Sequence, residues 1–399
     1  MQKTELKPSY YDQFACIGGA CEDTCCAGWR IDIDKKSYQK YKNEKNPTIR
    51  EELKKNTQRN RQSQNDLQYG KFKLDADGKC TMLDEENLCT IQKTLGEKAL
   101  CHTCTIYPRQ NIQINQTIEK SLDTSCPEAA RLILLNKNGI DFIEDKADIP
   151  TFSFNYLEQK DEIRDYFWVN RMFMIQVLQN RTHPIELRLL LIGLYMKKLE
   201  SLPLKARYKQ AEKLAATYLP LASDLELPEM FKEFKPNYVK HQQLATYFLK
   251  SFVAHSERFR LVAGLAFEEK DLQKTDIFEN TQTFEDFIKK YRPIYNDNEA
   301  IQIVLENYLV NLIFSSYHEK KSQDVLAFFS YLTVQFVLIR LLIIGNVNKL
   351  QMNEHDLVTT IQAFSKAGMH NKHYIPKSLE LISLTDYSKI SQAIHILVL

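Results

Sequence analysis

The sequence predicts a mainly α-helical protein, in which a small cysteine-rich, metal-binding N-terminal domain with minor β structure precedes an irregular all-helical domain. All nine cysteines lie between Cys16 and Cys126. Beyond them, apolar residues recur at helical spacing. We therefore place the cysteine-rich domain, expected to be catalytic, at residues 1–135 and the helical domain at residues 151–399, separated by the polar stretch Asn136 to Pro150.

Length and composition indicate a globular protein. A chain of 399 residues favours two domains over a single core. Hydrophobic residues make up 44% of the chain and charged residues 26%, which excludes disordered and fibrous classes. The net charge of +2 favours no class of partner.

The N-terminal residues have no apolar run behind their positive charges, so they do not read as a signal peptide, and the predicted compartment is the cytoplasm. In a reducing compartment, clustered cysteines are typical of metal binding or catalysis rather than disulfides. The number of cysteines, nine, is also odd, which a closed set of disulfides would not explain.

The nineteen residues from Leu326 to Ile344 are apolar enough to suggest a membrane span. They include Gln335 and Arg340, however, and an arginine at the centre of a membrane costs about 3 kcal/mol. We predict a buried core helix here, and no membrane span.

Short elements are expected in the N-terminal domain. A helix over Glu86 to Leu95 would carry Cys89, and a second helix over Glu97 to Cys104 would place Cys101 in its middle. The remaining predictions are a strand at Ile31–Asp34, helices at Ser37–Lys45 and Pro47–Lys55, a hairpin over Asn111–Leu122, and a helix that starts at Pro127.

In the helical domain, prolines separate long amphipathic segments at irregular intervals, which favours an irregular bundle over a repeat array. The predicted helices are Asp161–Gln179, Pro184–Glu200, Lys205–Tyr218, Tyr238–Leu261, Asn298–His318, Asp324–Ile344 and Glu354–Ala367.

Residues 35–61 include ten basic and three acidic side chains. A surface for nucleic acid or an acidic partner is one interpretation. The polar run Asn56 to Gln68 lacks the aromatic residues of a binding platform, so a solvated helix and linker is the preferred one.

Four cysteines, Cys16, Cys21, Cys25 and Cys26, fall within eleven positions, among glycines that permit tight turns. Free thiolates in such numbers bind zinc or iron-sulfur clusters. Adjacent cysteines suit one tetrahedral zinc poorly, and only Cys101 and Cys104 have the C-x2-C spacing of a zinc knuckle.

Several motifs in the same order resemble flagellin lysine-N-methylase, a family within the proteins named for a clustered-cysteine zinc- or iron-chelating domain. The resemblance covers about residues 10–130. It rests on Cys16-x4-Cys21-Glu22-Asp23-Thr24-Cys25-Cys26-Ala27-Gly28-Trp29, followed by Cys80-x2-Leu83-Asp84, Leu88-Cys89, Leu95-Gly96, Thr103-Cys104 and Tyr107-Pro108-Arg109.

The resemblance implies methyl transfer from S-adenosylmethionine to lysines of flagellin, with a 4Fe-4S cluster held by cysteines. The chain lacks the glycine-rich stretch of the usual methyltransferase nucleotide fold, so the cofactor is expected beside the cluster. Eight cysteines would form two sets of four, with Cys101 left over. The predicted metal ligands are Cys16, Cys21, Cys25, Cys26, Cys80, Cys89, Cys104 and Cys126.

Other residues near the cysteine motifs are candidates for binding the cofactor or for catalysis. Trp29 and Tyr107 could face the sulfonium and Arg109 the cofactor carboxylate. Glu22 and Asp23 could deprotonate the incoming lysine, which must be neutral to attack. The alternatives are that Trp29 is a core residue, that Tyr107-Pro108-Arg109 ends a helix, and that the two carboxylates only offset local charge.

Two other functions fit the same residues. A zinc-stabilised adaptor would use the cysteines as scaffold only, and an iron-sulfur electron carrier would need clusters but no cofactor pocket. We expect flagellin as the partner and no nucleic acid. Recognition of flagellin is assigned to the helical domain, whose aromatic residues could be exposed or core; they include Tyr238, Tyr247, Phe248, Tyr291 and Tyr295.

Overall fold

The computed structural model describes residues 3–146, 155–157, 161–252, 257–267, 281–296, 298–317, 324–347, 350–369 and 396–398. Among these residues helices predominate and the strands lie before residue 158, which confirms the predicted fold class. Residues 147–150 of the predicted domain boundary lie outside the described ranges.

Two sheets form the β part. The larger has the order β7-β1-β6-β5-β8, with β1 parallel to β6 and antiparallel to β7, and the predicted hairpin at its centre as β5 and β6. The smaller, antiparallel sheet has the order β2-β4-β3. The strands are β1 (Thr4–Pro8), β2 (Asp32–Ile33), β3 (Thr57–Arg59), β4 (Gly70–Phe72), β5 (Arg109–Ile114), β6 (Thr117–Leu122), β7 (Phe142–Lys146) and β8 (Asn155–Leu157).

The helices of the N-terminal part are short. They are α1 (Lys35–Lys42), α2 (Pro47–Asn56), α3 (Thr90–Leu95), α4 (His102–Ile106) and α5 (Pro127–Leu134). Asp34 caps α1 by accepting a hydrogen bond from the backbone of Ser37 at 2.9 Å, so the helix begins before the predicted Ser37.

Two helix predictions near the cysteines are wrong in their starts. The Asp84 side chain accepts hydrogen bonds from the backbone of Glu86 and Leu88, which closes a turn, so α3 begins only at Thr90 and Cys89 precedes it. The Glu97–Cys104 segment is a 3-10 turn followed by the extended residues Leu100 and Cys101, so Cys101 lies just before α4 rather than in the middle of a helix.

The long helices follow the sequence pattern closely, and α6 has the predicted bounds. They are α6 (Asp161–Gln179), α7 (Ile185–Glu200), α8 (Leu204–Tyr218), α9 (Tyr238–Phe252), α10 (Glu257–Phe267), α11 (Thr281–Asn296), α12 (Glu299–Ser316), α13 (Val325–Asn346) and α14 (Glu354–Met369). The predicted helix Tyr238–Leu261 covers α9 and the start of α10, and residues 253–256 between them lie outside the described ranges. Helix α11 was not predicted, because Pro293, which lies inside it, indicates a break. His318 of the predicted Asn298–His318 helix lies outside the described residues.

The apolar stretch after Asp324 forms α13, which is a core helix as predicted. It is long and apolar enough to cross a membrane, yet 89% of its most apolar window is buried inside the protein. Arg340 is fully buried within it, where it donates to the Leu397 carbonyl at 2.6 Å and contacts Glu186 at 3.3 Å. The Leu397 carbonyl and the Glu186 carboxylate thus stabilise the buried charge of Arg340, the residue on which the prediction against a membrane span rested.

Helices α9 and α11 pack against α13 and each other, which places aromatic residues of the helical part in its core. Phe248, Tyr291 and Tyr295 are buried, so the alternative of an exposed aromatic surface is wrong for these three. Tyr238 and Tyr247 are half-buried.

The described residues form two hydrophobic cores. The smaller one lies between Ile31 and Cys101 and includes Cys80. The larger one joins the long helices to α5 and to Tyr10, Tyr11 and Phe14, which precede the first cysteine, Cys16. The residues before Cys16 and those after Cys104 thus pack with the long helices. Residues 31–104 form a separate core, which includes Cys80 and Cys101.

Candidate metal and cofactor site

The cysteine loop, residues 16–29, runs across one side of the smaller core. Gly28 has φ +83° and donates its backbone N–H to the Gly78 carbonyl at 3.0 Å. The Cys80 N–H donates to the Cys26 carbonyl at 2.7 Å. These two hydrogen bonds align the loop with the Gly78–Cys80 turn and bring cysteines more than fifty positions apart side by side.

The first thiol pair is Cys25 and Cys26, whose sulfurs lie 3.9 Å apart. The hydrogen bond between them, followed by burial, raises the pKa of the Cys25 thiol far above its ordinary range. Without a bound metal, the Cys25 thiol therefore keeps its proton.

The second pair is Cys101 and Cys104, whose sulfurs lie 3.6 Å apart. Their hydrogen bond lowers the pKa of Cys101 and raises that of Cys104, so the pair favours a single negative charge. Cys101 is fully buried, and its sulfur also lies 3.6 Å from the Asp32 carbonyl of β2.

Four further thiols lie close enough to Cys25 to interact with it electrostatically. Burial is the main cause that raises their pKa values, to about 12 for Cys80 and for Cys126, and a negative charge on Cys25 would raise each of them further. The four are Cys21, Cys80, Cys89 and Cys126. Cys16, which like Cys25 is exposed, lies between the 3-10 turns Tyr11–Gln13 and Gly18–Ala20.

The thiol pairs have the spacing of metal ligands. Two thiolates on one tetrahedral zinc or iron, with bonds of about 2.3 Å, lie about 3.8 Å apart, which falls between the two observed separations of 3.6 and 3.9 Å. Within the described ranges no three His, Cys, Asp or Glu side chains are grouped closely enough to hold an ion. Each of the two cysteine pairs therefore has the sulfur spacing of two metal-bound thiolates, but the described side chains do not form a complete metal site.

The two predicted aromatic residues lie together beside the first pair. The rings of Trp29 and Tyr107 are 5.7 Å apart with an interplanar angle of 31°. The indole N–H of Trp29 donates to the Cys25 carbonyl at 2.7 Å, and the Tyr107 hydroxyl lies 3.0 Å from the Ser125 hydroxyl, next to Cys126. The third cofactor candidate, Arg109, packs on the Phe14 ring at 4.8 Å and donates to its carbonyl at 3.3 Å.

The two predicted catalytic carboxylates are ion-paired. Arg131 donates to Glu22 at 2.7 Å. Burial is the largest single effect and acts to raise the pKa of Glu22, but the hydrogen bond and charge of Arg131, a backbone hydrogen bond and the charge of Arg258 together outweigh burial and lower the pKa. Lys366 lies 2.7 Å from Asp23, which also accepts from Gln362 at 2.9 Å. These contacts fix both carboxylates; their role as proton acceptors stays a prediction.

A comparison of sequences identifies the family. The family model of the FliB lysine N-methylase C-terminal domain matches residues 171–396, more than half of the chain. The chain belongs to the FliB lysine N-methylase family. This membership confirms the resemblance and the enzyme class, protein-lysine N-methyltransferase, that the motifs predicted.

Two relatives of this FliB-family chain share its sequence over part of its length. It is 39% identical over 145 residues to the flagellar biosynthetic protein FliU of Salmonella muenchen, an alignment that covers 36% of this chain and 85% of FliU. It is 37% identical over 158 residues to the lysine-N-methylase of Salmonella typhimurium strain LT2, covering 38% of this chain and 37% of that relative. No solved structure matches this fold.

The FliB C-terminal domain supplies contacts to the cysteine loop that the sequence did not reveal. Lys366 and Gln362 project from α14 to Asp23, and Arg258 of α10 donates to the Glu22 carbonyl at 3.0 Å. No local signal distinguishes these residues from others on amphipathic helices. Only the tertiary packing shows that they hold the loop.

Proposed function

We propose that this FliB-family protein methylates lysine side chains of flagellin in the cytoplasm, using S-adenosylmethionine and a 4Fe-4S cluster held by its cysteines. The convergence of cysteines from separate stretches of the chain around Cys25 is the main support. The paired rings of Trp29 and Tyr107 beside them offer a place for the donor.

The pairs Cys25–Cys26 and Cys101–Cys104 are the proposed first ligands, because the two sulfurs within each pair already have the separation of two ligands on one metal. The raised pKa values of the surrounding thiols mean that a bound cation is needed to stabilise their thiolates. When bound, an iron with an open position would supply coordination for the amine and carboxylate of the methionine moiety.

The protein's own groups would bind and orient the donor. The faces of Trp29 and Tyr107 suit a positively charged sulfonium, since aromatic rings attract cations. The guanidinium of Arg109 would pair with the donor carboxylate. The helical domain is proposed to contribute flagellin recognition.

The transfer requires a neutral lysine amine. Its nitrogen lone pair would form the new bond to the methyl carbon while the sulfur–methyl bond breaks and its electron pair stays on sulfur. The lysine ammonium would first lose its proton to solvent water, and after the transfer the product would carry the positive charge as a methylammonium. Because Glu22 and Asp23 are ion-paired, their geometry favours a positioning role over the predicted role as bases.

The experiment is purification without oxygen, followed by measurement of iron, acid-labile sulfide, visible absorbance and S-adenosylmethionine binding by calorimetry. We expect iron with sulfide, and binding of the donor that falls in the Cys25→Ser variant and is retained in Cys16→Ser. Zinc alone at full occupancy in a preparation that methylates would contradict the cluster. Iron and sulfide without donor binding would contradict the methylase.

A further inference from the structure

The basic segment at residues 35–61 is an ordered surface. It forms α1, α2 and β3, and Asn46 and Asp34 cap the two helices. Most of its cationic side chains are exposed: Lys35, Lys36, Lys40, Lys45, Arg50, Lys54, Lys55 and Arg61. The solvated helices of the interpretation preferred from the sequence are therefore present, and together with β3 they form a folded, positively charged face.

This face contains a pocket of about 460 Å³. Three cations and three amides line it, with no carboxylate among them: Arg59, Arg61, Lys71, Gln58, Asn60 and Gln62. Cations and amide N–H groups together recognise carboxylate oxygens through charge-assisted hydrogen bonds. The size of the pocket suits one or two acidic side chains.

The pocket is held in shape before any ligand binds. The Arg59 guanidinium stacks 3.4 Å from the centre of the Tyr69 ring and donates to the carbonyls of Asn60 and Tyr69. Gln58 lies opposite Lys71 in the β3–β4 pair. Ordered side chains lose less entropy on binding than mobile ones.

The same elements hold a cysteine of the candidate metal site. Asp34, which caps α1, accepts from the His102 N–H at 2.9 Å at the start of α4. The Asp32 carbonyl of β2, in the same sheet as Lys71, contacts the Cys101 sulfur at 3.6 Å. A ligand in the pocket would therefore contact the same small sheet that positions Cys101.

The aromatic residues of this face favour an acidic polypeptide over nucleic acid. Tyr38 and Tyr69 lie edge to face at 5.5 Å, with Lys42 over the Tyr38 ring at 5.4 Å and Arg59 over the Tyr69 ring. Single-stranded nucleic acid binds through bases stacked on open aromatic faces. Here cations occupy those faces, so the surface offers charge rather than stacking.

We propose that the pocket of Arg59, Arg61 and Lys71 binds glutamate or aspartate side chains of an acidic segment of the protein substrate. Docked there, the segment would lie on the scaffold of the cysteine site. That the acidic segment belongs to a methylation substrate rests on the proposed function; the binding of acidic peptide does not.

The test is the affinity of the full-length protein for a short fluorescent glutamate-rich peptide, measured by anisotropy at low and moderate salt. The variant Arg61→Glu with Lys71→Glu should bind about tenfold more weakly, because two charge-assisted contacts become repulsive. The milder Arg61→Gln with Lys71→Gln should show an intermediate loss. The matched control reverses two exposed lysines of α8, Lys205→Glu with Lys209→Glu, and should bind as the wild type does.

Two results would overturn the inference. One is equal peptide affinity in the wild type and in the folded pocket variants, as judged by circular dichroism. The other is that a single-stranded oligonucleotide of the same charge binds more tightly than the peptide and displaces it. If the protein binds the acidic peptide at this pocket but methylates no protein, the docking surface stands and the proposed methylase function fails.

Discussion

Lys366 Nζ lies 2.7 Å from the Asp23 carboxylate and 2.8 Å from the Thr24 carbonyl, which ties α14 to the cysteine loop across most of the chain. Both side chains are largely buried. Two residues after Asp23 comes Cys25, which belongs to the first thiol pair. The position of the cysteines therefore depends on the helical part of the protein.

Replacing Lys366 with methionine should loosen the loop and lower the metal content. The change leaves the Asp23 carboxylate buried without its cation, which costs about 3 kcal/mol in the free energy of unfolding. Metal analysis and denaturant unfolding measure the two effects.

Lys366→Arg is the matched control, because it keeps the charge and should restore much of the metal content. A Lys366→Met protein with wild-type metal content would show that the ion pair does not position the loop. Loss of metal that Lys366→Arg fails to reduce would point to packing rather than charge.

The assignment of Cys101 and Cys16 is open to a direct test. The assignment made from the sequence left out Cys101 and included Cys16, but the structure places the Cys101 sulfur 3.6 Å from that of Cys104 and places Cys16 in neither of the two thiol pairs. We expect Cys101→Ser to lose metal as Cys104→Ser does, and Cys16→Ser to keep it. The reverse pattern, measured by metal analysis of the three variants, would restore the assignment made from the sequence.

Trp29→Leu should raise the KM for S-adenosylmethionine about tenfold, because an aromatic face over a desolvated cation contributes about 1 to 2 kcal/mol. The KM for flagellin should stay the same. Trp168, the other tryptophan, packs on Arg171 at 4.3 Å, and Trp168→Leu serves as the matched control. Equal changes in both variants would remove Trp29 from the donor site.

Stability should fall in mild acid because of His241. Burial lowers the pKa of this histidine to about 4, so the folded state keeps it neutral while the unfolded chain takes up a proton below about pH 6.5. The contribution of neutral His241 to the free energy of unfolding is complete above pH 6.5 and is lost as the pH falls toward 4. Between pH 7 and pH 5 the loss is about 2 kcal/mol.

His241→Gln removes this titration and should flatten the pH dependence of denaturant unfolding between pH 7 and pH 5, even if the variant is less stable at pH 7. The control is His355→Gln, since His355 is exposed near the start of α14. An unchanged slope in His241→Gln would show that other groups cause the acid sensitivity.

The elements predicted correctly are those whose pattern lies within one short stretch of the sequence. The bounds of α6 follow from an unbroken helical period, and the β5–β6 hairpin from alternating isoleucines. Each of these two signals is contained within about twenty residues, so tertiary packing does not alter it. The metal-binding character of the first third, which rests on residue type and spacing alone, stays a prediction.

The features that the sequence missed or predicted wrongly depend on contacts between residues that are distant in the sequence. Lys366 and Asp23 are separated by 343 positions, and periodicity cannot pair them. The placement of Cys101 depends on a 3-10 turn that a helical pattern conceals. The burial of Phe248 and Tyr295 follows from packing around α13, since an aromatic residue on an amphipathic helix suits a core and a binding surface equally well.

The measurement that tests the central claim most directly is methyl transfer from labelled S-adenosylmethionine to flagellin, read by mass spectrometry of its lysines. It uses protein purified without oxygen, before and after iron removal by a chelator and after reconstitution. The account predicts methyl-lysine with the iron-loaded protein, loss of the product when iron is removed, and recovery on reconstitution. Methylation that continues at the same rate without iron, or no methyl-lysine from the fully loaded protein, would contradict it.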